Sequence, residues 1–290
     1  MPHAARRRSS AFTLVELLVV IGIIALLISM LLPALGRARH SAMSTVNLSN
    51  LRQLGIGLEF YRNDYEGKFP RHSSLSSERP RTRWADDIYP YLNSEEVFIS
   101  PLLNDIARMK AMKPWAHTCD PVTGLPNEYT RYFGGYGYNF QYLGNSRVKA
   151  GNSGPYFAST GTIRDSARTI ALADTKGSRN GDDSFDYDEA TYVVDPPLQS
   201  LNYGSRGSRQ TTSNPLEAGN YGYTGGDGTA GTVVEEHRST PDARNNGGRV
   251  AVLFVDGHGV HLLPIEMDDS DNDGNPDNGL WNGLGDSTKR

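Results

Sequence analysis

The sequence predicts an α+β chain: one long N-terminal α-helix, apolar first and amphipathic after, packed on a small antiparallel β-sheet with long loops. Three observations predict it. Residues Phe12–Leu35 form a long apolar run interrupted only by Glu16 and a few small residues. From Ala34 to Tyr65 there is no proline, and apolar residues return mostly every three or four positions. Beyond Phe69 come short alternating or apolar runs separated by segments rich in Gly, Ser, Asn and Tyr.

The apolar run comes first. Twenty-four residues of helix rise about 36 Å, enough to cross a hydrocarbon core of about 30 Å. A cleaved secretory signal has a shorter apolar core followed by a small-x-small site. Here Pro33, Arg37 and Arg39 follow instead. Arg6, Arg7 and Arg8 favour a cytoplasmic N-terminus, and the two arginines on the far side weaken that bias. An acid at mid-bilayer costs about 2.5–3.5 kcal/mol even on lenient scales, so Glu16 needs a function or a route to the interface.

The second half of the helix places Leu35, Ala38, Ala42, Val46, Leu48, Leu51, Leu54, Leu58, Tyr61 and Tyr65 on one expected face. Gly55 and Gly57 weaken a helix by about 1 kcal/mol each relative to alanine, and close packing against a sheet would explain them. Gly67 and Pro70 end the helix: glycine takes the left-handed cap and proline prevents continuation.

The expected strands are Arg168–Asp174, Ala190–Asp195, Gly248–Asp256 and Gly259–Pro264. The last two flank Asp256-Gly257-His258, a tight-turn signal, and read as an antiparallel hairpin. Val250, Val252 and Phe254 alternate with Ala251, Leu253 and Val255, so both faces are apolar and the strand is central, with the helix across one side. Asn93–Met112 reads as a short additional helix. The Gly- and Tyr-rich stretch from Leu201 to Gly231 reads as surface loop.

Composition excludes several functions. A formal charge of −4 and no basic stripe argue against nucleic acid as a partner. The single cysteine, Cys119, permits neither an internal disulfide nor a cysteine-based zinc cluster. The glycine-rich run lacks the Lys-Ser/Thr of a phosphate loop, and no Gly-x-Ser-x-Gly or His-Glu-x-x-His motif occurs. His237, His258 and His261 do not have catalytic metal spacing. Asp182, Asp183, Asp186, Asp188 and Glu189 read as a solvated loop, and Trp84, Trp115 and Trp281 as core. No catalytic residue is expected.

Near the C-terminus, "MDDSDNDGNPDNG" carries Asp269, Asp271, Asp273 and Asp277 around Gly274. Alternating carboxylates in a loop can converge on a hard cation, and calcium accepts six to eight oxygens. Two readings stand: a structural calcium loop, or a solvated acidic tail. The pattern resembles the short Asp-x-Asp-x-Asp-Gly calcium loops of extracellular modules. It departs from an EF-hand at Leu280, where a glutamate is expected. No cofactor is expected to be essential.

The N-terminal residues "SSAFTLVELLVVIGIIALLISMLLPAL" resemble type IV prepilins and type II secretion pseudopilins. In order they present a small residue, Ala11, then Phe12, Thr13, Leu14 and Glu16, with Pro33 at the usual mid-helix proline; Ala11 replaces the usual glycine. The resemblance implies a pilin-like fold and a leader at 1–11, cut by a prepilin peptidase between Ala11 and Phe12, with Phe12 then N-methylated. It divides the rest into a transmembrane helix at 12–35, its amphipathic continuation at 36–66, and an extracytoplasmic β-rich domain at 67–290 whose acidic loop is 268–278. Losing the leader's three arginines takes the charge to about −7.

The resemblance further implies that Glu16 pairs with the N-terminal amine of a neighbouring copy, since a paired charge is tolerated in lipid where a lone one is not. The expected partners are the peptidase, other copies or other pseudopilins, an inner-membrane assembly platform and the bilayer. The expected location is the inner membrane, single-pass, with the C-terminal domain in the periplasm. The expected function is a structural subunit of a type II secretion or type IV pilus filament. The alternative is a tethered, non-polymerising module that binds glycan or protein. "GGYGYN", "TIALAD" and "NNGGRVAVLFVDGHG" resemble the C-terminal domain of a prepilin-like family abundant in planctomycete-type bacteria. That family usually has a histidine ten residues before the Asp of the Asp-Gly pair, where this chain has Asn246.

Overall fold

The computed structural model describes residues 14–74, 82–103, 134–145, 156–176, 193–194, 196–197, 240–274 and 277–288. It also describes four two-residue strands within 178–234. Two compact units partition the chain, Met1–Ala42 and Met43–Arg290. Helix α1, Leu14–Asp64, is a single helix that runs through Pro33.

In the first unit, the apolar side chains of Leu14 to Leu35 are exposed to the surroundings. Soluble proteins rarely present such a run to water, and the helix is long and apolar enough to cross a membrane.

In the second unit, the rest of α1 buries Ser44, Asn47, Leu51, Leu54, Gly57 and Leu58. The alternating spacing of three and four residues defines one helical stripe, but its first two members are polar. Val46, expected on this face, is 50% exposed. The step of two between Val46 and Leu48 marks where the apolar count leaves the true stripe. Tyr65 is likewise exposed, beyond the last helical turn. The helix ends as expected: Glu66 and Gly67 have φ of 55° and 77°, and the Gly67 amide donates to the Arg62 carbonyl at 2.7 Å.

The strands in chain order are β1 (Tyr136–Tyr138), β2 (Gly144–Asn145), β3 (Tyr156–Phe157), β4 (Ile170–Lys176), β5 (Ser178–Arg179) and β6 (Phe185–Asp186). They continue with β7 (Tyr223–Thr224), β8 (Val233–Val234), β9 (Thr240–Pro241), β10 (Val250–Phe254) and β11 (Gly259–Leu262). The main sheet is antiparallel in the order β1-β4-β10-β11, with β9 on the far end of β4. The pairs β2-β3, β5-β6 and β7-β8 stand apart from it.

The expected hairpin is present, with Val250 opposite Leu262 and Leu253 opposite Gly259. Strand β10 is central, and its two faces enter different cores. Ala251 and Leu253 pack with Leu51, Leu54 and Leu58 of the helix, whereas Val250, Val252 and Phe254 pack with Met267, Leu280 and Trp281. Burying each large aliphatic side chain contributes about 1.5–3 kcal/mol. A bulge shifts the β4–β10 register between Leu253 and Phe254, leaving Ala171 without a partner on β10. The Ala171 carbonyl accepts the Asn139 amide instead, at 3.0 Å.

Both helical glycines sit at close approaches. A Cβ on Gly55 would come 3.0 Å from a Leu253 methyl, which is the expected sheet contact. A Cβ on Gly57 would come equally close to Leu92, so its neighbour is a second helix rather than the sheet. That helix, α2, is Trp84–Leu92. Over its described part, 93–103, the expected helix Asn93–Met112 is corrected: Asn93 takes φ 50° and ends α2, and a 3-10 turn at Glu96–Phe98 follows. Residues 104–112 lie outside the described residues. The Asp86 carboxylate accepts the Arg83 amide at 2.7 Å and so starts α2, a signal the aromatic composition obscured. Of the expected strand Ala190–Asp195, Val193 and Val194 are described; Val193 makes a single parallel bridge to Tyr138. A short helix α3, Pro264–Asp268, follows β11.

Candidate functional site

At the N-terminus, Ala11 and Phe12 lie outside the described residues. Glu16 sits in the first turn of α1, where the helix dipole favours a negative charge, and Pro33 lies within the same helix.

The acidic loop is built by α3 and the turn after it. Oxygens of Asp269, Asp271 and Asp273 lie within 4.8 Å of one another. Asp269 is buried, and its two oxygens accept the amides of Asp273 and Gly274 at 3.1 and 3.0 Å. The Ser287 hydroxyl lowers the carboxyl pKa of Asp271 from its ordinary value. Asp277 does not join this group. Its carboxylate is turned inward, accepting the Ser270 amide at 2.7 Å and the Gly279 amide at 2.5 Å. Of the four aspartates singled out in the sequence, three converge and one staples the loop base.

The histidines separate. His258 Nδ1 lies 2.6 Å from Asp256 Oδ1, and its ring stacks on Phe254 at 4.4 Å, so the tight turn brings the two side chains together. His261 faces Ser44 instead, with Nε2 at 3.3 Å from the hydroxyl. Burial, with Arg249 and Arg52 nearby, holds its pKa below the ordinary histidine value. His237, Cys119 and Trp115 are outside the described residues, as is the Asp182–Glu189 cluster except for the backbone of β6. Trp84 and Trp281 are core, as expected.

Sequence reasoning missed the most elaborate polar cluster, which lies between α1 and the sheet. Asp174, on β4, is wholly buried. Asn47 Nδ2 donates to its two oxygens at 3.0 and 2.8 Å, Asn245 Nδ2 at 2.7 Å and the Ala251 amide at 3.1 Å. Asn47 Oδ1 in turn accepts the hydroxyls of Ser100 at 2.8 Å and Tyr136 at 2.7 Å. The Ser44 hydroxyl donates to Asn245 Oδ1 at 2.9 Å. Burial raises the Asp174 pKa, and Arg244 and the surrounding donors oppose that rise. Arg244 itself is held by Asp242 at 2.6 Å and by the Thr175 carbonyl. The cluster fastens helix to sheet. A Ser-x-x-Asn pair on the buried phase of a helix was the signal that could have found it.

Against this geometry, residues 6–32 match the family model of the prokaryotic N-terminal methylation motif. No curated protein and no solved structure matches the chain. The motif and the apolar helix support a type IV prepilin-like precursor, anchored in a membrane by a single N-terminal helix.

Proposed function

We propose that this chain is a pilin-like structural subunit of a type II secretion or related type IV pilus system. The observation that carries the reading is the methylation motif at 6–32, continuous with an exposed apolar helix that bears an acid in its first turn. Prepilin peptidase cuts between Ala11 and Phe12, and Phe12 is N-methylated. The subunit waits in the inner membrane with its C-terminal domain in the periplasm, then moves into a filament. There Glu16 of one copy pairs with the Phe12 amine of the next. In oil, neither charge is stable alone, so the pairing selects one axial offset between copies.

Mass spectrometry of the native N-terminus tests this reading. A chain beginning at N-methylated Phe12 supports it; an intact leader refutes it and favours the tethered binding module. Glu16→Leu should leave the protein inserted and processed but missing from sheared filaments, and unchanged filament recovery would exclude the pairing.

A second proposal concerns calcium. The mutual approach of Asp269, Asp271 and Asp273 supports a structural ion at the acidic loop. Melting with and without chelator tests it, and an unchanged midpoint removes it.

A further inference from the structure

The main sheet runs β1-β4-β10-β11, and among the described residues no strand lies beyond β11. The open edge of a sheet is a template for any extended segment, the same edge of a second copy included. Which groups this edge presents follows from the β10–β11 register. The Phe254 amide donates to the His258 carbonyl at 2.9 Å, so the pairs that bond each other are the even-numbered ones: Phe254 with His258, Val252 with Val260, and Val250 with Leu262. Gly259, His261 and Leu263 therefore turn their amides and carbonyls the other way, to the open edge.

Three of these outward groups are held by charged side chains, and each comes from a different part of the chain. Arg52 Nη2, from α1, donates to the Gly259 carbonyl at 3.0 Å. Arg249 Nη1, from the residue before β10, donates to the His261 carbonyl at 3.0 Å. The Glu266 carboxylate, from α3, accepts the Leu263 amide at 2.7 Å and Arg249 Nη1 at 3.2 Å. A nitrogen 3.0 Å from an outward carbonyl stands at the distance where the amide nitrogen of an added strand would stand. A guanidinium there intrudes on the gap of about 4.8 Å that a next strand needs. Pro264, opening α3, stops the strand directly afterwards.

Beneath these side chains the edge suits pairing. Two copies approaching antiparallel about Val260 would set Gly259 of each opposite His261 of the other, as two mutually bonded pairs. Val260 and Leu262, half-buried on the Trp281 side of the sheet, would meet their counterparts. With the arginines in place, that approach opposes Arg52 of one copy to Arg249 of the other, and like charges across a strand pair destabilise it.

We infer that Arg52, Arg249 and Glu266 guard this edge, holding closed a strand-addition surface whose partner is the β11 edge of a second copy. The guard acts on the sheet alone, so it stands whether or not copies assemble through α1.

The test puts a reporter on the two-fold axis of that pairing. Val260 would lie opposite itself in a non-bonded pair, where Cβ atoms stand about 4.5–5.5 Å apart, near disulfide reach. Val260→Cys is made in the full chain carrying Cys119→Ser, and disulfide-linked dimer is followed in detergent under a mild oxidant. Three backgrounds are compared: both arginines present, Arg52→Met with Arg249→Met, and Arg52→Lys with Arg249→Lys. Methionine keeps an apolar stem beside Gly259 but removes the donor, whereas lysine keeps a donor and a charge. The methionine pair should raise the linking rate about tenfold or more, equivalent to losing one good hydrogen bond from the guard. The lysine pair should keep the rate low. Near-ultraviolet circular dichroism checks that each variant is folded. Should the double methionine variant unfold, Arg52→Met alone, which leaves Arg249 on Glu266, should still raise the rate. The inference is overturned if the guarded chain links as fast as the methionine variants, or if the lysine pair links as fast as the methionine pair.

Discussion

Asp174→Ala isolates what the buried carboxylate contributes. Removing it strands the Asn47 and Asn245 side-chain amides and the Ala251 backbone amide, which together make four contacts of 2.7 to 3.1 Å. A buried donor left unpaired costs about 1–3 kcal/mol. The partial re-pairing of Asn47 Nδ2 with Asn245 Oδ1, already 3.4 Å away, recovers some of that. Three stranded donors, less that recovery, give an expected loss of about 3–5 kcal/mol. For a domain of this size each kcal/mol shifts the midpoint by about 2–4 °C, so melting should fall by roughly 6–20 °C. Asp174→Asn keeps the volume and one acceptor and should cost far less.

The same pair tests the charge. Because burial raises the Asp174 pKa above its unfolded value, the folded state holds the proton more tightly. Stability contributed by this group is present at low pH and declines as pH rises from the ordinary carboxylate value through the raised one. Asp174→Asn should remove that decline. The assay is near-ultraviolet circular dichroism of the full chain in detergent, across acidic to neutral pH. A melting point within about 2 °C of wild type for Asp174→Ala would refute the reasoning, and so would an unchanged pH slope for Asp174→Asn.

Other expected outcomes are simpler. Trp281→Ala empties a fully buried site and strips the partner from the Met267 carbonyl, so it should destabilise by about 3–5 kcal/mol in a denaturant titration. Gly55→Val drives a branched side chain into Leu253 and should cost about 1–3 kcal/mol by the same measurement. The His261 pKa is lowered on folding, so its contribution to stability should fall as pH drops from 6.5 toward the lowered value. His261→Gln should flatten that part of the melting profile.

What the sequence made legible was whatever repeats with a period. The β10–β11 hairpin followed from alternation around Asp256-Gly257, and the central place of β10 from its two apolar faces. The lower half of the helix stripe, Leu51 to Leu58, followed from spacing. The polar fastening did not, because Ser44 and Asn47 look like solvent-facing residues until the sheet delivers Asp174 and Asn245 from far along the chain. Helix α2 was hidden because Trp84–Leu92 carries a proline and is mostly aromatic or acidic, while the run after Asn93 looked more helical. The Asp256–His258 contact depends on turn geometry, which strand periodicity cannot describe. In the acidic loop, spacing singled out four aspartates but not which of them lie together, since which one turns inward is decided by the amides of Ser270 and Gly279.

The second layer of this domain comes from residues downstream of every strand. The Leu280 carbonyl takes the Ile170 amide at 2.7 Å, and the Trp281 carbonyl takes the Asn139 side chain at 3.0 Å, while the indole fills the hollow over Val250 and Val252. A chain clipped ahead of Asn278 keeps all its strands and its helix, yet one side of its sheet is wet. Proteolytic trimming there would turn a closed domain into a sticky one.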